Sequence, residues 1–295
     1  MGHVTLKILN LQLGRKRQKL LQTESFPIEE VENIDIFSSS TDIEIQIHDK
    51  PMVSVVLYTY QGGPILKTES GNGVLQLKAK QLETSERSIF SYSSGTKLVV
   101  TAPEAAVRNW DIRTGSGDID TAGLQFACIA IRVRSGDVTG RDLKGETMKI
   151  LTGSGDIEMK HVNAGTLSFH ASSGDIDLNY IKALSIEAKT SSGDIDLDEY
   201  TGDFSAISGS GSMKISKAMN GSVDLKTGSG DMKIAVDQQW GSAAVMMNTR
   251  SGKIAANLPI EITQQVKNKT IGTIGAGEGT IHAQSGSGDI MLYSK

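Results

Sequence analysis

Cysteine is almost missing. Cys128 stands alone, so neither an internal disulfide nor a cysteine metal cluster can hold the fold together. Proline is nearly as scarce, at 5 residues, so the 32 glycines do not signal collagen or a proline-glycine low-complexity chain. Aromatic residues make up only 5% of the 295, a poor supply for one large globular core. No apolar run approaches the ~20 residues of a membrane-spanning helix; the longest, FACIAI, covers 126–131. The opening MGHVTLKILNLQLGRKRQK lacks a secretory apolar stretch, because Lys7, Asn10 and Gln12 interrupt it. An excess of positive charge is absent too: the net charge is −4 and the pI about 5.8, which argues against nucleic acid as a partner. As written, the chain reads as soluble and cytoplasmic; a leader ahead of it would place it at the cell surface instead.

What the chain does have is a period, and repeats take precedence over element-by-element reading. A Ser-Gly pair opens at Ser116, Ser135, Ser154, Ser173, Ser192, Ser210, Ser229, Ser251 and Ser287, at intervals of 19, 19, 19, 19, 18, 19, 22 and 36. Three residues after each Ser stands an apolar one: Ile119, Val138, Ile157, Ile176, Ile195, Met213, Met232, Ile254, Ile290. Further on, Ile129, Met148, Leu167 and Ile186, then Ile131, Ile150, Phe169 and Ala188, form two more apolar columns separated by polar residues. Alternation over four to seven residues marks half-buried strands, two per repeat.

Stacking the repeats pairs like strands in parallel about 4.8 Å apart and lines the columns up as one interior. The expected fold is all-β, a single-stranded parallel β-solenoid (β-helix) of about 19 residues per coil, right-handed by the preference of parallel crossovers. The same register extends backwards through Ile34 and Ile36, through Ile43 and Ile45 with Val53, Val55 and Leu57 as their second strand, and through Val100, Trp110 and Ile112. The expected division is an N-terminal capping or leader segment over 1–31 and a repeat domain over 32–295. Two insertions, QQWG at 238–241 and a stretch around 259–275, are expected to bulge out as loops, the second with room for a partial coil.

The corner comes from Ser-Gly-Asp. Gly117, Gly136, Gly155, Gly174, Gly193, Gly211, Gly230, Gly252 and Gly288 are expected at a sharp turn that needs positive φ, with Ser and Asp bonding nearby backbone groups. Outward positions on the strand that follows form an acidic strip: Asp118, Asp120, Asp137, Asp156, Glu158, Asp175, Asp177, Asp194 and Asp196. Carboxylates about 5 Å apart repel by roughly 0.8 kcal/mol in water, so the strip must be exposed and bonded, or matched by a cation. It is the candidate site for a protein or cationic-peptide partner. Calcium is not expected, since calcium-binding β-rolls repeat every nine residues and Ser212 and Lys253 interrupt the Asp column. No metal, cofactor or catalytic set is legible: the histidines at 3, 48, 161, 170 and 282 are scattered, and GAGEGT at 275–280 opens no helix after a strand. The basic cluster Arg15, Lys16, Arg17 and Lys19 offers a peripheral membrane contact.

These Ser-Gly-Asp-Ile repeats, with the entry FPIEEVENIDIFSSSTDIEIQI at 26–47, resemble the bacterial putative-adhesin family of β-strand-repeat proteins, LiaG-like members included. The resemblance covers about 26–295 and implies a domain of unknown function without established catalytic residues, tied to the cell envelope. The reading is a non-catalytic binding or scaffold protein; the alternative is a carbohydrate-active β-helix enzyme, a lyase or hydrolase.

Overall fold

The structure is a computed structural model that describes residues 4–5, 19–60, 62–81, 95–104, 106–219, 221–236 and 242–294. Among these, one 3-10 turn, Ile28–Glu30, is the only helical element, and no helix is long and apolar enough to cross a membrane. The chain divides into two compact units, Met1–Gly145 and Glu146–Lys295.

The first unit holds β1 (Val4–Thr5), β2 (Lys19–Pro27), β3 (Asn33–Ser38), β4 (Asp42–His48), β5 (Met52–Tyr60), β6 (Ile65–Gly71), β7 (Val74–Lys80), β8 (Lys97–Pro103), β9 (Asn109–Thr114), β10 (Ile119–Ala122) and β11 (Gln125–Val133), and the start of β12 (Val138–Thr152). Strand β3 lies in parallel between β7 and β9, aligning Ile34 with Leu75 and Trp110, and Ile36 with Leu77 and Ile112. β9 continues onto β11, Trp110 against Ile129. Likewise β4 lies in parallel between β8 and β10, and Ile43 meets Leu98 on one side and Ile119 on the other. All of these side chains are buried. Each contributes roughly 1.5–3 kcal/mol, summed along the columns.

Stacking order therefore departs from chain order. The turn through β3 and β4 rests directly on the turn through β9 and β10, although 49–108 intervenes. The expected pairing of Val53, Val55 and Leu57 is corrected here. They are fully buried, but β5 runs antiparallel to both β2 and β8. A period of two is the same for parallel and antiparallel neighbours, so alternation revealed the burial and not the direction. β6 and β7 form a hairpin whose two-residue turn, Asn72 (φ 53°) and Gly73 (φ 76°), has the left-handed pair that such turns need.

The second unit contains the end of β12, then β13 (Ile157–Ala171), β14 (Ile176–Thr190), β15 (Ile195–Ser208), β16 (Met213–Met219), β17 (Ser222–Thr227), β18 (Met232–Val236), β19 (Ala243–Thr249), β20 (Ile254–Asn257), β21 (Glu261–Val266), β22 (Lys269–Ile274), β23 (Gly279–Ser285) and β24 (Ile290–Ser294). β13, β14 and β15 pair in parallel, with Ile157, Ile176 and Ile195 in one column and Leu167, Ile186 and Phe204 in another. β15 passes its first half to β16 and its second to β17. Next in space come β23 on β17 and β24 on β18, and only then β19 and β20. The last segment of the chain thus lies between two earlier ones.

The insertion around 259–275 is neither a loop nor a partial coil. It is a β-hairpin, β21 with β22, and β22 runs antiparallel along β19. Its residues Glu261, Ile262, Thr263 and Gln264 follow no 19-residue column, because a hairpin's register is set by its own turn. QQWG lies outside the described residues, as do Arg15, Lys16 and Arg17, while Lys19 begins β2.

A second bend per turn escaped the sequence. Asp142, and His161, Tyr180 and Glu199, each seven residues after a corner Ser, have φ between 51° and 54°. Parallel pairing lapses at His161 and Tyr180 and resumes at Val162 and Ile181. One left-handed residue thus bends the chain between two strand segments without a glycine.

Candidate binding site: corner clamps and an acidic column

The corner is a set of three interlocking contacts. A buried Thr or Ser two residues before the corner Ser comes first. Thr190 Oγ1 accepts the N–H of Gly193 at 3.0 Å and donates to the Gly174 carbonyl, one turn earlier, at 3.0 Å. Ser208, Thr227, Thr249 and Ser285 repeat both bonds, to Gly211 and Gly193, to Gly230 and Gly211, to Gly252 and Gly288, and to Gly288 and Gly230. Both oxygen functions of one hydroxyl are used, so burial leaves nothing unsatisfied there. This column was in plain sight as the Thr of TGSGD.

The glycine is needed for room, which corrects the expectation of positive φ. None of the nine corner glycines is among the residues with positive φ. A Cβ on Gly174 would instead lie 1.9 Å from the Gly155 carbonyl oxygen, and one on Gly193 2.0 Å from that of Gly174. Gly117, Gly136, Gly211, Gly230, Gly252 and Gly288 face a backbone oxygen of the adjacent turn in the same way. Close backbone approach excludes every side chain here.

The aspartate completes the clamp. Asp156 Oδ1 accepts the N–H of Asp175 at 2.8 Å, Asp175 that of Asp194 at 2.8 Å, and Asp194 that of Ser212 at 2.7 Å. In the first unit Asp42 takes the N–H of Asp118 at 3.1 Å and Asp118 that of Asp137 at 3.0 Å. Asp231 and Asp289 continue the pattern to Lys253. Each bond is charge-assisted, which both strengthens it and lets carboxylates stack.

The nine candidate carboxylates accordingly separate into two columns with different duties. Asp118 and Asp137 in the first unit, and Asp156, Asp175 and Asp194 in the second, hold clamp positions. Asp120, Glu158, Asp177 and Asp196 stand two residues further on, facing outward. Asp120 is ion-paired to Arg141 at 3.1 Å. In the second unit the register aligns Glu158, Asp177, Asp196 and Lys214 in one row across β13 to β16. Lys214 Nζ approaches Asp196 to 3.8 Å, whereas Glu158 and Asp177 have no ion-pair partner among the described residues.

Burial first, then the charges of Asp196, Asp175, Glu158 and Asp156, hold the Asp177 carboxyl above its usual 3.8. Burial also raises Asp196, opposed by Lys214 and reinforced by Asp194 and Asp175. The row borders a cleft of about 440 Å³ that Lys160 and Asp198 also line. At its margin Asn179 Oδ1 and Asp198 Oδ1 are buried without a hydrogen-bond partner. The surface can bind cations by charge and can present acceptors.

Among the described residues the histidines do not converge: His161 packs on Tyr180 with ring centroids 4.9 Å apart, and His282 Nδ1 lies 3.0 Å from Asp224. Among the described residues no three His, Cys, Asp or Glu side chains gather into a group that could hold a metal ion.

The model of the Toastrack DUF4097 family matches residues 31–293. The crystal structure of a putative adhesin from Bacteroides fragilis superposes with a TM-score of 0.51 at 16% identity, covering 92% of this chain and 96% of that one. A structure named a putative lipid binding protein, from Parabacteroides distasonis, gives 0.52 at 17% identity with 92% and 96% covered. At such identities these two neighbours share the fold. No curated protein matches the sequence. A family model that matches well over half of the chain is decisive for kinship: the chain belongs to the Toastrack DUF4097 family, putative-adhesin-like domains of unknown function.

Proposed function

We propose that the chain is a non-catalytic binding or scaffold module of the putative-adhesin type, linked to the bacterial cell envelope, whose docking row for a cationic partner is Glu158, Asp177 and Asp196. The reading takes the fold as a right-handed, single-stranded β-solenoid of about 19 residues per coil, capped by 1–31 and built over 32–295. The envelope link and a surface location lean on the adhesin and lipid-binding names of the neighbours, which describe those proteins.

One observation carries the proposal. Glu158 and Asp177 stand uncompensated in the same row in which Asp196 has Lys214 beside it. Ammonium groups of a flexible cationic peptide or polyamine would do for the first two what Lys214 does for the third. The row is held by paired backbone, so binding orders only the partner. Its acidic companions Asp118, Asp120 and Asp137 are the weaker part of the strip, since Asp120 already has Arg141.

The attraction should fade as the Debye length falls from about 10 Å at 0.1 M salt to 3 Å at 1 M. Titration against a panel of cationic peptides tests it, wild type beside a variant with Asp156, Asp175, Asp177, Asp194 and Asp196 changed to Asn and Glu158 to Gln. Binding to the wild type that weakens with salt and is lost in the variant is the expected result. Equal affinities would leave the row as solvated surface.

A further inference from the structure

The second unit carries another surface that the acidic row does not use, a groove of about 680 Å³ at the corner where β17, β23 and β19 end. Lys226, Gln284 and Asn248 stand side by side across those strands. After one inward residue each, the strands continue with Gly228, Gly286 and Arg250. Two of these three positions lack a side chain, so the floor is bare backbone and the wall is a guanidinium. The turn of the β21–β22 hairpin closes one end, where Asn268 Nδ2 donates to the Arg250 carbonyl at 2.8 Å.

The partners of the lining groups are unequal. Lys226 Nζ is held by Asp224 at 3.0 Å. The Arg250 guanidinium and the side-chain amides of Gln284 and Asn248 have no hydrogen-bond or ion-pair partner among the described residues. A planar fork of donors matches a carboxylate or phosphate in bidentate fashion. Side-chain amides both donate and accept, as hydroxyl groups require. Among the described residues no aromatic or aliphatic side chain lines the groove, which disfavours acyl chains and flat apolar ligands. The volume falls within the range of small-ligand sites, about 300–1,000 Å³.

We propose that this groove binds a small hydroxylated ligand bearing an oxyanion, in the first place an acidic saccharide, with Arg250 holding the anionic group and Gln284 and Asn248 the hydroxyls. The anion is a uronate carboxylate or a sugar phosphate, and the two are separated by experiment.

Calorimetric titration of the full chain with digalacturonate, with galactose 6-phosphate and with an uncharged disaccharide tests it. At least one acidic probe should bind tenfold or more tightly than the uncharged one. Arg250→Gln should weaken that binding at least tenfold and Gln284→Ala several-fold, with unchanged melting temperatures because both side chains are exposed. Which acidic probe wins identifies the source of the anion. The Glu158→Gln, Asp177→Asn, Asp196→Asn variant should bind these probes as the wild type does, so failure here leaves the acidic row untouched. Binding of neither acidic probe, equal binding of the uncharged one, or full affinity in Arg250→Gln would overturn the assignment.

Discussion

Replacing Gly174 by Ala adds one carbon at one of the closest approaches between turns. That carbon would begin 1.9 Å from the Gly155 carbonyl oxygen, and real Cβ contacts are essentially never under 3.0 Å, so the two turns must separate by about 1.1 Å. The bonds that join them are Asp175 N–H to Asp156 Oδ1 at 2.8 Å, and Ser173 N–H to the Gly153 carbonyl at 3.1 Å; Asp175 is in turn joined to its Ile157 neighbour at 2.9 Å. Stretched by that amount, each leaves hydrogen-bonding range. At about 1 kcal/mol apiece, and more for the charged acceptor, the loss is about 3 kcal/mol. Gly73→Ala is the comparator: φ is 76° but the nearest atoms are 3.7 Å away, so only the left-handed penalty of about 1–2 kcal/mol applies. Ser185→Val, on an exposed position, should be nearly neutral. Urea unfolding of the three variants measures all of this. A Gly174→Ala cost no larger than that of Gly73→Ala would refute the claim that close approach, and not backbone angle, dictates the corner glycine.

Two further outcomes concern the same corner, and a third the outward row. Asp175→Ala should cost about 1–2 kcal/mol by removing the acceptor for the Asp194 N–H, while Asp175→Asn, which keeps a carbonyl oxygen there, should cost far less. Thr190→Val should cost about 2–4 kcal/mol in a denaturant titration because it orphans the buried Gly193 N–H and Gly174 carbonyl, and Thr190→Ser should be mild, as Ser208 fills the same role. Asp177 titrates above 3.8 in the fold, so folding binds its proton more tightly. Its cost to stability is absent well below pH 3.8 and grows as pH rises through 3.8 towards the folded value. Asp177→Asn should therefore match the wild type at pH 2–3 and melt higher at neutral pH; a constant difference across pH would contradict this.

The apolar columns were legible because a period of 19 places Ile157, Ile176 and Ile195 in one line whatever else the chain does. Those columns do not encode neighbour order. The interval of 36 before Ser287 conceals a chain that leaves through β21 and β22 and returns between β18 and β20. Direction was hidden for β5 for the same reason. The corner was legible as a corner, yet its chemistry was misassigned: what Gly174 avoids is a carbonyl one turn away, a contact that no local rule contains. The left-handed column carries a residue-type signal only in part: Asp142 and His161 are of types enriched in that conformation, Tyr180 and Glu199 are not, so no common residue marks the bend. Of the acidic strip, the nine positions could be read off, but not its division into carboxylates bonded to backbone and carboxylates facing outward. That division depends on which oxygen meets which N–H.

That division of the carboxylates can be measured directly. Calorimetry with one lysine-rich peptide at low salt should compare two triple variants, Asp156→Asn with Asp175→Asn and Asp194→Asn in the clamp column, and Glu158→Gln with Asp177→Asn and Asp196→Asn in the outward row. The outward variant should lose most of the binding while melting no lower than the wild type, since Asp177 and Asp196 are both raised by burial, and the clamp variant should keep most of it. Equal losses in the two, or greater loss in the clamp variant, would contradict that division.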